Sequence, residues 1–91
     1  MSKICLHCYI SGQVQGIGYR ANARREAIQL DISGWVKNLD DGGVEALLCG
    51  EAENVHKLVS WMYRGPAGAV VDAVVTEPRE LEDNLVGFEV R

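Results

Sequence analysis

The segment that decides the fold is SGWVKNLDDGGVEALLC, residues 33–49. Residues 33–38 and 44–49 are typical of short strands, and the polar, glycine-rich stretch 39–43 between them is typical of a turn. Apolar residues of the second strand share one face because they recur at every other position: Val44, Ala46 and Leu48. The segment therefore predicts a β-hairpin.

An amphipathic helix is predicted on each side of this hairpin. Before it, apolar residues recur at steps of three and four and form one helical stripe: Tyr19, Ala23, Ala27 and Leu30. After it, a second stripe of helical spacing contains Val55, Leu58, Val59 and Met62. Gly65-Pro66 cannot continue the second helix, so we expect it to end there.

Further strands are predicted toward both ends of the chain. Residues 4–11 alternate between two faces with the period of two that is typical of a strand. The valine-rich stretch 69–76 is a fourth strand whose irregular parity predicts a bulge, and residues 87–90 add a short final strand. The order β-α-β-β-α-β is typical of the ferredoxin-like α+β fold, an antiparallel sheet with both helices packed on one face. In this topology strand two is parallel to strand one, and strand three lies between them.

Size and composition indicate one globular domain. A chain of 91 residues can build only a single core, so residues 1–91 are expected to form one domain. No apolar run approaches the roughly 20 residues that cross a bilayer, and no signal peptide is recognisable before the first strand. We therefore expect a cytoplasmic protein with no membrane partner. We also expect a monomer, although the sequence does not determine the oligomeric state.

The net charge argues against nucleic-acid binding. The chain carries a formal charge of −4, whereas affinity for nucleic acids rests on many phosphate contacts from Lys and Arg. RNA-recognition domains share this order of elements, but they stack bases on aromatic residues of the third strand, and residues 44–49 contain none. An anionic ligand would therefore need a local binding site.

The loop before the first helix has the composition of an anion site. Residues 12–20 read GQVQGIGYR and join a strand to a helix start, where free backbone N–H groups and the positive helix end attract anions. Gly16 and Gly18 permit close backbone approach, and Arg20 can present a planar fork of donors to two phosphate oxygens. By composition alone, such a loop can equally do no more than turn the chain.

Two motifs resemble the signatures of the acylphosphatase family. Residues 12–20 are similar to G-x-V-Q-G-V-x-F-R, with Ile17 in place of Val and Tyr19 in place of Phe. Residues 34–44, GWVKNLDDGGV, are similar to the second signature throughout. The resemblance covers essentially the whole chain and implies a ferredoxin-like enzyme that hydrolyses acyl phosphates. The Tyr19 hydroxyl is expected to add a polar group near the loop.

The resemblance also implies roles for individual residues. Arg20 and the loop backbone are expected to hold the phosphoryl group, and Asn38 is expected to orient the attacking water. The implied phosphate-binding residues are Gln15, Gly16, Ile17, Gly18, Tyr19 and Arg20. We expect no metal and no cofactor.

An acyl phosphate demands little acid–base chemistry of an enzyme. Its leaving group is a carboxylate whose conjugate acid has a pKa of about 4, so it departs without a general acid. Asn38 is an amide and cannot act as a base at neutral pH, which leaves a phosphate oxygen of the substrate to accept the proton of the water. We therefore predict substrate-assisted catalysis. At the exit of strand two, Asn38 should reach the same sheet edge as the glycine loop, although without the resemblance a turn-capping role would be favoured.

The three cysteines suggest a metal site or a disulfide. Cys5 and Cys8 form a C-x-x-C, which is typical of carriers of soft metals, but alternation along a strand directs them to opposite faces and disfavours chelation. Cys5 and Cys49 are expected on adjacent strands, on the side away from the helices. We hypothesise a disulfide between them, although a cytoplasmic chain normally keeps its thiols reduced.

The remaining titratable residues suggest no second site. His7 and His56 have no carboxylate or cysteine partner at catalytic spacing, so packing or solvent-facing roles are expected. The adjacent Asp40 and Asp41 could suggest Mg²⁺, but acidic residues in a glycine-rich turn more often form the turn itself.

Overall fold

The computed structural model describes residues 2–82 and 84–91. Its elements are β1 (Lys3–Gln13), α1 (Tyr19–Gln29), β2 (Ser33–Asn38), β3 (Val44–Glu51), α2 (Ala52–Arg64), β4 (Val70–Arg79) and β5 (Phe88–Val90). The predicted order of elements is confirmed. β2 has the predicted bounds, whereas β1, β3 and β4 extend somewhat further than predicted. Among the residues that the structure describes, neither helix has the length and apolar character that a bilayer crossing requires.

The strands form one sheet in the order β4-β1-β3-β2-β5. β1 and β2 each pair antiparallel with β3, so they run parallel to each other with β3 between them, as the topology predicts. The four strands of the predicted β-α-β-β-α-β order pair antiparallel throughout, and the short β5 joins them by pairing parallel with β2, so the five-stranded sheet is mixed. β4 ends beside the start of β1. β5 begins beside the start of β2, at the same end of the sheet, and therefore runs in the same direction as β2.

Both helices pack on the same face of the sheet. A single buried cluster combines Tyr19 and Ala27 from α1, Val55, Leu58 and Met62 from α2, and Cys8, Ile10, Val36, Ala46, Leu48, Val74 and Phe88 from the strands. Burial of these apolar side chains is the main force that holds the helices on the sheet. The predicted helical stripes are therefore confirmed, with Leu30 and Val59 at the edge of the cluster.

The other face, called here the outer face, carries a smaller cluster. It consists of the buried Cys5, Leu47 and Cys49, with Trp35 and Leu85 packed against them. Cys8 belongs to the main core instead, so alternation along β1 separates Cys5 from Cys8 as predicted. These two thiol positions cannot chelate one metal ion while the strand is intact.

A bulge in β4 lies opposite the end of β1, from which the chain enters the glycine loop. The register between β1 and β4 shifts between Ser11 and Gly12, which leaves Asp72 as the extra residue and confirms the predicted bulge. A Cβ atom at Gly12 would lie 2.1 Å from the carbonyl oxygen of Val70. Only glycine fits this close approach, which sets the path of the chain into the loop.

Candidate active site

The loop of residues 14–18 joins β1 to α1, and Gln15, Gly16 and Gly18 in it are exposed to solvent. Gly16 and Gly18 have φ angles of 78° and 80°, a left-handed conformation that other residues rarely adopt. Val14 is fully buried at the start of the loop, and Ile17 packs partly against the core. These two apolar side chains anchor the loop, while its glycines leave the backbone accessible.

The backbone N–H groups of this loop are available to an anion rather than bonded within the described part of the protein. Within the described ranges, none of the amides from Gln15 to Tyr19 donates a hydrogen bond to another protein group. α1 begins after Gly18, and no side chain of the described residues caps its first turn. The positive end of the helix therefore also faces the loop. Consecutive free amides at a helix start form a concave surface that suits an anion with several oxygens.

Arg20 lies in the first turn of α1, directly after the loop. Its side chain is half-buried, and Nη1 donates a hydrogen bond to the carbonyl oxygen of Arg91 at 2.8 Å. A guanidinium has five N–H donors, so Nε and Nη2 stay available for two oxygens of a phosphoryl group. The loop amides and the Arg20 donors therefore come from adjacent positions of the chain.

Asn38 is the last residue of β2 and lies at the sheet edge where the loop begins. The register places Val44 of β3 opposite both Ile10 of β1 and Asn38. Asn38 is exposed and follows the buried Val36 by two positions, so both lie on the helix-facing side of β2. The structure thus brings Asn38 to the side and the edge of the sheet at which α1 starts.

A side-chain contact that the sequence did not reveal joins the two motifs. Nε2 of Gln15 donates hydrogen bonds to the carbonyl oxygens of Leu39 and Gly43, each at 2.8 Å. The resemblance assigned a role only to the backbone of Gln15. No spacing in the sequence signals this contact, because it spans 24 and 28 residues and depends on the pairing of the strands.

The hairpin turn is stabilised by one of its own acidic residues. Oδ1 of Asp41 accepts a hydrogen bond from the backbone N–H of Gly43 at 2.8 Å. This contact is a turn-forming interaction of the kind predicted for the acidic pair. Asp40 is exposed beside it.

Tyr19 contributes its backbone to the loop and its side chain to the core. The ring is fully buried, and the hydroxyl donates a hydrogen bond to the carbonyl oxygen of Met62 at 2.8 Å. Burial raises the pKa of Tyr19 well above its usual range, and the nearby Cys8 adds to the shift. The expectation that the hydroxyl adds a polar group near the loop is therefore wrong, because the hydroxyl reaches α2 inside the core.

A polar pair on the outer face was also missed. Nε2 of His7 lies 2.6 Å from Oε2 of Glu45, and Nδ1 of His7 is buried without a partner among the described residues. His7 is buried against Tyr9, which is the packing role that was expected. Its carboxylate partner lies 38 positions away, outside any spacing that the sequence could show, and the pairing of β1 with β3 brings the two together. The pair lies on the face opposite to Asn38 and outside the candidate active site, and His56 is exposed on α2.

Cys5 and Cys49 are remote from the candidate active site. They are direct partners in the register of β1 and β3, and their Sγ atoms lie at bonding distance. The pair lies near the start of β1, whereas the glycine loop follows the end of that strand. Cys8 is a free, buried thiol, and burial raises its pKa to about 12.

The chain is similar over its whole length to proteins of one family. The family model described as Acylphosphatase matches residues 6–90. A protein named acylphosphatase from Pseudomonas aeruginosa is 47% identical over 91 residues, which is 100% of this chain and 99% of the relative. The solved structure of an acylphosphatase from Coxiella burnetii has a TM-score of 0.93 at 40% identity and covers 98% of this chain and 93% of its own. The crystal structure of acylphosphatase from Bacillus subtilis also has a TM-score of 0.93, at 27% identity, and covers 97% of this chain and 98% of its own.

Proposed function

The chain belongs to the acylphosphatase family, and from that premise we propose that Arg20 and the loop amides hold the phosphoryl group of an acyl phosphate while Asn38 places the attacking water. The chain is an enzyme that acts on acyl phosphates, which are small molecules. One observation carries the proposed roles: the amides of residues 15–19, which donate to no group in the described part of the chain, directly precede Arg20 at the sheet edge that Asn38 also reaches.

The proposed grip on the phosphoryl group combines neutral and charged donors. The amides of residues 15–19 supply neutral N–H donors from one short loop, and Arg20 supplies a positive charge with a planar fork. Phosphoryl transfer depends mainly on positioning the reactants and on stabilising charge on the phosphoryl oxygens. The loop amides and Arg20 together provide both.

The proposed reaction is an in-line displacement at phosphorus. The oxygen of the water that Asn38 holds attacks phosphorus, the bond from phosphorus to the acyl oxygen breaks, and the carboxylate leaves with the electron pair. The proton of the water passes to an oxygen of the substrate phosphate, because the amide of Asn38 cannot accept it. The products are a carboxylate and inorganic phosphate, so atoms and charge balance without a protein base.

Our first prediction concerns Arg20 and Asn38. We expect the chain to hydrolyse benzoyl phosphate in excess EDTA, and we expect Arg20→Gln and Asn38→Ala each to lower kcat/KM by at least about 10²- to 10³-fold, the usual loss for one preorganised donor. Arg20→Lys should not restore activity, because lysine cannot form the bidentate contact. Steady-state kinetics of benzoyl phosphate hydrolysis measures all three.

Two control variants match these substitutions away from the candidate active site. Arg25→Gln removes an exposed arginine from the same helix, and Asn54→Ala removes a partly exposed asparagine from α2. Both should keep kcat/KM close to that of the unaltered chain. Loss of activity in EDTA, or equal activity in Arg20→Gln, Asn38→Ala and the unaltered chain, would contradict the proposed mechanism.

The cytoplasmic location and the monomeric state stay predictions from the sequence.

A further inference from the structure

An aromatic residue of the outer face contacts the residue that holds Arg20. Trp35 lies in the middle of β2, is half-buried, and packs against the outer cluster of Cys5, Leu47 and Cys49. This packing restrains the indole ring on the face opposite to the candidate active site. The ring is therefore a fixed surface on which other side chains can rest.

Two cationic side chains lie over this ring. Cζ of Arg91 is 5.0 Å and Nζ of Lys37 is 5.6 Å from the ring centroid, both within the distance at which a cation is attracted to an aromatic face. Nε of Arg91 also donates to Oε2 of Glu89 at 3.1 Å. The Arg91 side chain thus has two restraints, one from the indole and one from a carboxylate.

The backbone of Arg91 links the outer face to Arg20. Its N–H donates to the carbonyl oxygen of Val36 at 2.8 Å, and its carbonyl oxygen accepts the hydrogen bond from Nη1 of Arg20 at 2.8 Å. The N–H contact fixes Arg91 at one point only. The side-chain contact with Trp35 fixes a second point, and the two together restrain the direction of the carbonyl group.

We propose that Trp35 and Arg91 are positioning residues for Arg20, an inference that rests on the phosphate-binding role proposed above. An unrestrained arginine loses much rotamer freedom when it binds a phosphate. With Nη1 held by Arg91, part of that freedom is already lost, while Nε and Nη2 remain for the substrate. Loss of the contact between Trp35 and Arg91 therefore weakens phosphate binding without removing a group that touches the substrate.

The test compares three variants with the unaltered chain. Trp35→Leu removes the aromatic face, Arg91→Met removes the guanidinium but keeps the backbone carbonyl, and Trp35→Phe keeps an aromatic face. The measurements are kcat and KM for benzoyl phosphate, the inhibition constant of inorganic phosphate, and the midpoint of thermal unfolding. We expect Trp35→Leu and Arg91→Met to raise KM and the inhibition constant by about 3- to 10-fold, the range of a partly exposed cation–π contact. Trp35→Phe should recover most of that loss, and kcat should fall by less than about threefold in each variant.

Arg79→Met is the matched control. Arg79 is another outer-face arginine that pairs with a glutamate two positions earlier, with Nη1 of Arg79 3.8 Å from Oε2 of Glu77. It lies on β4, at the opposite edge of the sheet from β5. Both constants should be unchanged in this variant.

Two results would overturn the inference. A merely structural role for Trp35 would lower the unfolding midpoint and the active fraction, and hence kcat, while KM and the inhibition constant of phosphate stayed unchanged. Unchanged constants in Arg91→Met would overturn it as well, and that variant leaves the outer cluster intact. The unaltered chain is measured first. If it shows neither hydrolysis of benzoyl phosphate nor inhibition by phosphate, the proposed function fails and this inference fails with it. That outcome differs from the two results above, in which the unaltered chain is active.

Discussion

At the scale of single residues, Gln15 has a role that its neighbours in the loop do not share. Its side chain donates to two carbonyl oxygens of the hairpin turn, so it holds the loop against the turn that follows Asn38. We predict that Gln15→Glu lowers kcat/KM for benzoyl phosphate by about 10- to 100-fold, because the variant loses two hydrogen bonds and places a carboxylate against two carbonyl oxygens beside an anion site. Steady-state kinetics measures the effect.

Gln13→Glu is the control for this prediction. Gln13 is exposed two positions before Gln15, and its side chain forms no hydrogen bond with the part of the chain that the structure describes. The same change of charge should therefore alter kcat/KM by less than about threefold. Equal losses in the two variants would show that charge near the loop, and not the contact with the turn, is responsible.

At the scale of elements, β1 and β3 form the centre of the sheet and bring Cys5 opposite Cys49. We predict that the chain unfolded without reductant has one titratable thiol, that of Cys8, and that reduction raises the number to the three cysteines of the sequence. A bond between Cys5 and Cys49 closes a loop of 44 positions and restricts the unfolded chain. Cys49→Ala should therefore lower the free energy of unfolding by about 2–4 kcal/mol.

Thiol titration and urea unfolding measure these two quantities. Because the pair lies far from the glycine loop, Cys49→Ala should keep kcat within about twofold of the unaltered chain. Three titratable thiols before reduction would contradict the pairing.

At the scale of the whole molecule, we predict that the buried thiol of Cys8 lowers the free energy of unfolding as the pH rises into the alkaline range. The unfolded chain releases this proton near the ordinary pKa of 9.0, whereas the folded chain retains it to about pH 12. Over that interval the unfolded state binds fewer protons, so stability falls as pH rises. Between pH 8 and 10 we expect the unaltered chain to lose roughly 1–1.5 kcal/mol more than Cys8→Ala, as measured by urea unfolding.

Cys8→Ala also removes packing in the core, but that cost is the same at each pH and cancels in the comparison. Tyr19 adds the same trend above pH 10 in both chains, because burial raises its pKa as well. Parallel pH dependence of the two chains would contradict the assignment to Cys8.

Much of the fold could be predicted because local patterns report it directly. Alternation with a period of two marks β1 and β3, and steps of three and four mark the helices, since each pattern reflects which side of an element is buried. The parallel pairing of β5 was not predictable in this way. It depends on where the chain enters after crossing from β4, and the three residues of β5 carry no signal of direction.

The sequence by itself determined the order of the elements, the family, and the positions of Arg20 and Asn38 in its motifs, because these depend on local periodicity and on residue identity at fixed spacing. Only the tertiary structure decided the contacts of Gln15 with the turn, of Tyr19 with α2, of His7 with Glu45, and of Arg20 with Arg91. Each of these contacts joins residues far apart in the chain. Strand register and helix packing bring them together, and the residues between them encode neither the distance nor the direction.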